Sequence, residues 1–525
     1  MFTLFQKRGP MNSRQANTPN PSQKLVQDLK KAKIKARGQV IRSYDLERSV
    51  RERLTSAGYL SRVMNGWYLL TNPTGIGTTT LWWGNYWDFV REYLQERFGQ
   101  DYCLSAESSL DLYAGNNLIE KQLTVISKKP SNETIQLPHD TSLLLYQNET
   151  SFPDRMIQKN GLNILPLVEA MCRVSPSYFS NKAMNMEICL RLIGSASDLS
   201  RVLLTYQGSS VANRLIGALH AVKNDVFAKQ IEKDLIAAGF LLQPTNPFEN
   251  QKLLFQSHER ITSAHAGRIT ALWMKMRDDI LSIFPKEPGL KNFPDSQQTI
   301  RIIEKLYKED SYNSLYIEGY HVTHELIEKI QKEQQLNLDS NTHESFNKDA
   351  LATQGYYASF QEVLKSAKKV LDGEPAGKIF YDDLQNWYRE LFKPFVQTGI
   401  LNPAQLAGYR NHAVYISESR HIPPSWDSIL DCMETLEKLL QQEKSAAVRA
   451  VLGHFIFVYI HPYMDGNGRI ARFLLNLMLI SGGYNWTVIH VSERNRYMDA
   501  LEMASIHGDI KAFAEFILSE MNKGK

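Results

Sequence analysis

The sequence predicts a multidomain chain in which a mixed α/β N-terminal module precedes a mainly α-helical C-terminal half. Its 525 residues exceed what one hydrophobic core usually holds. Hydrophobic residues make up 43% and charged residues 22%, which is ordinary globular usage and argues against a disordered or fibrous chain. Short strand-like runs occur before residue 240, whereas the apolar spacing after Asn246 is almost wholly helical.

The first part of the N-terminal module has the order of a small DNA-binding fold. Residues 1–22 are polar and rich in Asn, Pro and Ser, so we expect a flexible tail. Residues 23–75 show two short helical patterns followed by alternating apolar residues. GYLSRV at 58–63, GWY at 66–68 and LSAES at 104–108 resemble the N-terminal region of type IV abortive-infection antitoxins, which are DNA-binding autoregulators with a winged helix-turn-helix.

Charge is unevenly distributed along the chain. Residues 1–62 hold 14 Lys and Arg against 4 Asp and Glu, a net charge of +10, although the whole chain carries only +4. A basic segment of this kind indicates duplex DNA as a partner of residues 23–75. A charged surface helix with no DNA contact is the alternative that the sequence leaves open.

Two further segments separate this region from the strongest motif. Residues 76–240 mix strand-like and helical stretches and contain no catalytic constellation, so we assign them to an antitoxin-like α/β module. Residues 241–299 read as a helical connector, and residues 300–525 as the last domain.

The motif is HPYMDGNGRIAR at 461–472, between two apolar helical segments. Gly466 and Gly468 let the backbone approach an anion at a helix N-terminus. Arg469 and Arg472 are three residues apart on that helix, so both can face one phosphate group. Asp465 suits Mg²⁺ or Mn²⁺ beside the phosphates, and His461 suits a base near pH 7. The set indicates phosphoryl-type transfer.

This stretch resembles the Fic signature HxFx(D/E)GNGRxxR, with Tyr463 in place of Phe. The resemblance implies a protein adenylyltransferase that moves AMP from ATP to a Ser, Thr or Tyr hydroxyl of a target protein, self-modification included. It implies His461 as general base, Asp465 as metal ligand, Asn467 and Gly468 as anion-hole groups, and Arg469 with Arg472 on the phosphates.

Flanking segments extend the resemblance over about residues 300–520. AGYR at 407–410 and VYISESRHIPPSW at 414–426 look like the family's β-hairpin flap, which holds the target by main-chain pairing. Downstream residues resemble the closing helices, which implies that Asn495 and Tyr497 lie near adenine.

SLYIEG at 314–319 resembles the family's inhibitory pattern (S/T)xxxE(G/N). The resemblance implies an inhibitory helix near 311–320 in which Glu318 pairs with Arg472, Ser314 orients Glu318, and Gly319 completes the pattern. In some members the same glutamate supports the reverse removal of AMP.

Other readings remain open at this stage. A Fic fold can transfer phosphate or phosphocholine instead, and a DNA-binding antitoxin-like regulator with a silenced, nucleotide-sensing Fic domain is the non-enzyme alternative. Four scattered cysteines and no apolar run of about 18 residues predict a cytoplasmic protein without a membrane partner. A homo-oligomer is neither indicated nor excluded.

Overall fold

The computed structural model describes residues 21–71, 78–149, 152–206, 208–249, 251–255, 260–333 and 348–523. It divides into two compact units. The first comprises the described residues up to Gly99 together with Gln136–Thr141, and the second comprises Gln100–Ile135 and Ser142 onward. The predicted flexible tail at 1–22 lies almost wholly outside the described residues. Within the described part, no helix is both long and apolar enough to span a bilayer.

The first unit contains three helices and a three-stranded antiparallel sheet of order β1-β3-β2. Its elements are α1 (Pro21–Lys35), β1 (Val40–Arg42), α2 (Arg48–Ser56), β2 (Leu60–Met64), β3 (Trp67–Leu70) and α3 (Thr78–Phe98). The two expected helices and the hairpin closing at Asn65-Gly66 are therefore present, with β1 between the helices. Its relation to winged-helix antitoxins stays a prediction.

Apolar side chains one helical turn apart hold this unit together. Val50 and Leu54 of α2 are buried in a cluster with Ile41, Leu60 and Leu70 of the sheet. This core leaves the polar faces of α1 and α2 outside, which matters for any charged partner.

The second unit begins with short strands and small helices. Their bounds are β4 (Tyr102–Leu104), α4 (Ala106–Tyr113), β5 (Gln122–Ser127), β6 (Glu133–Leu137), β7 (Thr141–Gln147), β8 (Ile157–Lys159), β9 (Leu162–Ile164), α5 (Leu167–Arg173), α6 (Ser177–Asn181), α7 (Ala183–Arg191), α8 (Ala196–Tyr206), α9 (Ser209–Ala221) and α10 (Asp225–Ala237). The last two residues of β6 and the first residue of β7 fall in the first unit. Strand β5 pairs antiparallel with β4 and parallel with β7. The helices share one apolar core, which includes the free, buried Cys103, Cys172 and Cys189.

The rest of the described chain is mainly helical, as the apolar spacing predicts. Its helices are α11 (Ala264–Ile283), α12 (Ser296–Ile317), α13 (His324–Glu333), α14 (Lys348–Leu371), α15 (Ala376–Gln397), α16 (Ile429–Gln442), α17 (Ala446–Ile460), α18 (Asn467–Ser481), α19 (Arg494–His507) and α20 (Lys511–Lys523). In both α17 and α18, 13 of the 15 residues are buried. Helices that are apolar on all faces belong in the centre of a domain, so the loop at 461–466 that joins them is held on both sides.

One expected element is absent: residues 407–425 form no strand, so the predicted β-hairpin flap is wrong for this structure. An isolated two-stranded hairpin is marginal in water, and Pro423 and Pro424 cannot donate ladder hydrogen bonds. Side chains fix the segment instead. Arg410 donates to the His412 carbonyl at 2.8 Å, and the Glu502 carboxylate accepts from the Ser419 hydroxyl at 2.5 Å.

Candidate active site

The loop at 461–466 starts and ends on left-handed residues. His461 caps α17 with φ 53°, and its backbone N–H donates to the Phe457 carbonyl at 3.0 Å. Gly466 precedes α18 with φ 81°, and a Cβ there would lie 2.7 Å from the Phe392 ring. Both the backbone angle and the close approach therefore require glycine at 466.

The Asn467 side chain closes this loop. Its Nδ2 donates to the Tyr463 carbonyl at 2.8 Å, and its Oδ1 accepts from the Tyr463 N–H at 2.9 Å. Both amide groups are thus engaged by backbone, and the side chain is 2% exposed. Any anion-hole contribution from Asn467 must come from its backbone N–H, which the first turn of a helix leaves without an intrahelical partner.

His461 is prepared to accept a proton. Its Nδ1 lies 3.2 Å from the Val458 carbonyl, which can only accept, so Nδ1 carries the proton and Nε2 is the free base. Burial lowers the pKa of the imidazole to about 4, with the Val458 carbonyl acting in the opposite sense. The ring is therefore neutral at pH 7. The charges of Glu318 and Asp465 both act on it, which places them in its neighbourhood.

Two buried arginines stand beside the N-terminus of α18. The guanidinium of Arg469 is 3.3 Å from the Asp465 carboxylate and lies over the rings of Tyr320 and Phe392. Its three buried nitrogens nevertheless make no hydrogen bond of normal geometry within the described part of the chain. Nη1 of Arg472 is in the same condition. Buried donors left in this way cost free energy unless a ligand satisfies them, so the site suits an anion.

Glu318 is a protein carboxylate in that anion position. Its Oε1 accepts from Nη2 of Arg472 at 2.7 Å. Burial by itself would lower the pKa of the Arg472 guanidinium, but the nearby Glu318 carboxylate acts in the opposite sense, and the net effect is that the pKa is raised. A Cβ on Gly468 would lie 2.3 Å from the same oxygen. The carboxylate thus rests directly on the glycine at the start of α18, where phosphate oxygens would otherwise sit.

Ser314 also contacts Arg472, one helical turn before Glu318. Its hydroxyl accepts from Nε of Arg472 at 2.9 Å, and its carbonyl accepts from Nη2 at 3.1 Å. Gly319 follows the end of α12 with φ 86°. The last turn of α12 is anchored from the other side by Arg494, whose Nε donates to the Ile317 carbonyl at 3.0 Å. Ser314 and Glu318 therefore both contact Arg472, and the inhibitory role of Ser314, Glu318 and Gly319 stays a prediction. Arg494 is a contact that the pattern did not reveal.

Asp465 lies at the open side of the loop. Its side chain is 59% exposed, and its Oδ1 accepts from the Gly466 N–H at 2.5 Å. Among the described residues, no group of three or more His, Cys, Asp or Glu could hold a metal ion. A single exposed carboxylate beside a phosphate seat fits a Mg²⁺ that arrives with a nucleotide and keeps most of its waters.

The remaining predicted residues are in less open positions. Tyr463 is buried against Tyr388, with ring centroids 3.7 Å apart, so the Phe-to-Tyr exchange keeps its packing role. Asn495 is exposed, whereas the Tyr497 hydroxyl hydrogen-bonds with His454 Nε2 at 2.9 Å and only 1% of this residue is exposed. Tyr497 could stack on a base only after moving, and the adenine-side role of both stays a prediction.

Arg410 is a site residue whose importance the sequence did not indicate. It is 5% exposed, and its Nε donates to the His461 carbonyl at 2.8 Å while its backbone N–H donates to the Pro462 carbonyl at 2.9 Å. It also donates to the Pro424 carbonyl at 2.5 Å. The only signal in the sequence was an arginine with no acidic neighbour in a segment without helical spacing.

One part of this chain is similar to known proteins. Residues 378–479 match the family model described as Fic/DOC family. A "Protein adenylyltransferase Fic" of Drosophila yakuba is 27% identical over 241 residues, 45% of this chain and 45% of the relative, and one of Drosophila ananassae is 34% identical over 123 residues, 23% and 24%. The chain spans less than half the length of these relatives.

One solved structure aligns with about two thirds of the chain. "Fic-1 (aa134 - 508) from C. elegans" is 17% identical, with a TM-score of 0.35, and the alignment covers 68% of this chain and 94% of that one. The family match includes the loop and both helices that carry His461, Asp465, Arg469 and Arg472, whereas Ser314 and Glu318 precede it. The similarity to the Fic/DOC family model therefore lies within residues 378–479 of this chain.

Proposed function

We propose that this chain is a protein adenylyltransferase that moves AMP from ATP to a hydroxyl of a target protein. The observation that carries the proposal is the meeting of a neutral base at His461 with a phosphate seat at Gly466–Arg472 in one buried site. The printed function of the curated relatives supports it. Ser, Thr and Tyr hydroxyls are the proposed acceptors.

The transfer balances with the residues present. The hydroxyl oxygen of the target attacks the α-phosphorus, the bond from that phosphorus to the β-phosphate oxygen breaks, and pyrophosphate leaves. Nε2 of His461 takes the hydroxyl proton. Arg469, Arg472 and the N–H groups at the start of α18 hold the phosphate oxygens and stabilise their charge. Mg²⁺ or Mn²⁺ bound with ATP beside Asp465 would neutralise phosphate charge.

We further propose that Glu318 keeps the resting protein slow. Arg472 can bind either this carboxylate or a nucleotide phosphate through the same Nη2 donor. While Glu318 occupies it, ATP binds with its α-phosphorus out of line with the attacking hydroxyl. We also propose that the Glu318 carboxylate assists the reverse activity, in which AMP is removed from a modified target.

The position of the label in ATP tests the reaction type. We expect the Glu318→Gly variant, incubated with Mg-ATP, to incorporate α-label into protein and to incorporate no γ-label. Incorporation of γ-label would mean phosphate transfer, and a phosphocholine donor tested in parallel covers the third transfer reaction. No label from any donor in either the parent or the variant would favour the silenced, nucleotide-sensing regulator.

Arg410 supplies a test of how the base is positioned. We expect Arg410→Gln to lower kcat roughly 10- to 100-fold, because the His461 backbone would lose a fixed donor and the base would shift relative to the hydroxyl. KM for ATP should change little, since Arg410 does not face the phosphate seat. Arg410→Lys should recover part of kcat. A parallel rise in KM, or no recovery by lysine, would assign Arg410 to general folding.

We also propose that the first unit binds duplex DNA through phosphate contacts. On α2, Arg51 donates to the Leu46 carbonyl at 2.7 Å and Arg53 pairs with Asp28 at 2.7 Å, so these charges serve the fold. Most exposed cations of this unit lie on or just after α1: Lys24, Lys30, Lys31, Lys33, Lys35 and Arg37, of which Arg37 pairs with Glu92 at 3.2 Å. Arg48 of α2 and Arg62 of β2 are exposed as well. The row along α1 favours backbone contacts over base readout.

Salt dependence measures these contacts. In the full chain, we expect affinity for duplex DNA to fall steeply with salt, and Lys30→Gln with Lys31→Gln and Lys33→Gln to reduce the slope of log K against log salt by about 0.9 for each lost phosphate contact. Lys229→Gln with Lys233→Gln on α10 is the control pair. An unchanged slope in the triple variant, or no binding by the parent at low salt, would contradict the proposal.

A further inference from the structure

The second unit also contains a basic cleft that none of the functions proposed above uses. It has a volume of about 640 Å³ and lies between α6–α7 on one side and α11 on the other. Five of its lining residues are Lys or Arg and two are acidic: Lys182, Lys252, Arg268, Lys275 and Arg277 against Glu187 and Asp278. Its size is that of a small-molecule site, and its charge is positive.

Arg268 is the buried cation of this cleft. It is 9% exposed, its Nε donates to the Tyr459 hydroxyl at 3.1 Å, and its Nη1 donates to Asn185 Oδ1 at 3.0 Å. Both partners are neutral, and among the described residues no carboxylate oxygen lies within 4 Å of its guanidinium nitrogens. A buried charge without a counter-ion is costly, so an anion in the cleft would stabilise it.

Lys275 stands two helical turns after Arg268 on the same face of α11. Desolvation lowers the pKa of its amine, the charge of Arg268 acts in the same sense, and the carboxylates of Asp509 and Asp279 act in the opposite sense. Lys275 has no ion pair within the described ranges. The other cations differ in this respect, since Lys252 pairs with Asp278 at 3.0 Å and Arg277 with Glu443 at 2.6 Å.

We propose that this cleft binds a small, multiply charged organic anion, a phosphate ester or a polycarboxylate, with Arg268 and Lys275 as its charged contacts. Two neighbouring cations, of which neither has a carboxylate within ion-pair distance among the described residues, match an anion of two or more charges better than a monocarboxylate. Met184, Leu254 and Ile506 line the same cleft and provide apolar contact for the organic part. The proposal is independent of AMP transfer, because no residue of 461–472 lines the cleft.

Calorimetric titration of the full chain with pyrophosphate and with citrate tests the site. We expect the parent to bind at least one of them, and Lys275→Gln, an exposed substitution, to weaken that binding at least 10-fold. Lys229→Gln on α10 should bind like the parent. Comparison of the two probes tells a phosphoryl preference from a carboxylate preference.

The proposed phosphate seat at Gly466–Arg472 could also bind these probes, so the same titration is done with Arg472→Gln. Retained binding in Arg472→Gln together with loss in Lys275→Gln supports the cleft. Equal binding by Lys275→Gln and the parent, loss in Arg472→Gln alone, or no binding of either probe by the parent would overturn the proposal.

Discussion

Replacing Glu318 by glycine is expected to raise AMP incorporation from α-labelled ATP, self-modification included, by roughly 10- to 100-fold. The substitution removes a charge-assisted hydrogen bond of 2.7 Å to Arg472, and such bonds are worth about 1.5–3 kcal/mol, where 1.4 kcal/mol corresponds to tenfold. Arg472 is then free for the nucleotide, and the gain should appear in kcat more than in ATP affinity, because ATP can bind in either pose. Intact-mass analysis after incubation with Mg-ATP measures the added AMP.

Two control variants separate this effect from a general loosening of α12. Glu304→Gln changes an exposed glutamate on the same helix and should leave the rate at the parent level. Glu318→Gln keeps the side-chain shape and one acceptor oxygen but removes the charge, so it should give a smaller gain than glycine. If the parent and Glu318→Gly were labelled equally, the contact between Glu318 and Arg472 would be structural and not inhibitory.

Replacing His461 by alanine in the Glu318→Gly background is expected to lower AMP transfer by roughly 10²- to 10⁴-fold, the usual contribution of a general base. The imidazole accepts the hydroxyl proton at Nε2 and holds no phosphate, so ATP binding should remain near that of Glu318→Gly. Single-turnover labelling measures the rate, and equilibrium binding of ATP measures the affinity.

The same experiment distinguishes proton transfer from loop damage. His461 also ends α17 with a left-handed backbone, so His461→Asn, whose side chain tolerates that conformation, is the matched variant. Both variants should be equally inactive and should melt close to the parent. Activity retained by His461→Asn would exclude the imidazole as the base.

Much of the site could be predicted from one stretch of sequence because its residues are close along the chain. His461, Asp465, Gly466, Gly468, Arg469 and Arg472 fall within 12 positions, and helical spacing alone places Arg469 and Arg472 on one side of α18. The helical C-terminal half was predictable for the same local reason, since the apolar period is written along each helix. The two helices and hairpin of the first unit also followed from local patterns.

What failed or was missed depends on contacts between distant residues. The flap at 407–425 was expected to form strands, but its backbone is held by side chains and by Pro423 and Pro424, and it has no sheet to join. Arg410 acts on a carbonyl 51 positions away, and Arg268 donates to Tyr459 across 191 positions. Burial of such charges is a tertiary property that residue type alone does not express.

The sequence by itself determined which groups this loop and the start of α18 carry: a histidine, a carboxylate, two glycines and two arginines within 12 positions, from which phosphate handling is predicted. Only the tertiary structure decided the protonation state of His461 and the partner of Arg472. Burial of His461 lowers its pKa to about 4 and leaves the base neutral, and the carboxylate of Glu318, 154 positions before Arg472, reaches the guanidinium at 2.7 Å. Both effects arise because folding removes water from charges and brings distant groups together, which changes their free energies without changing their identity.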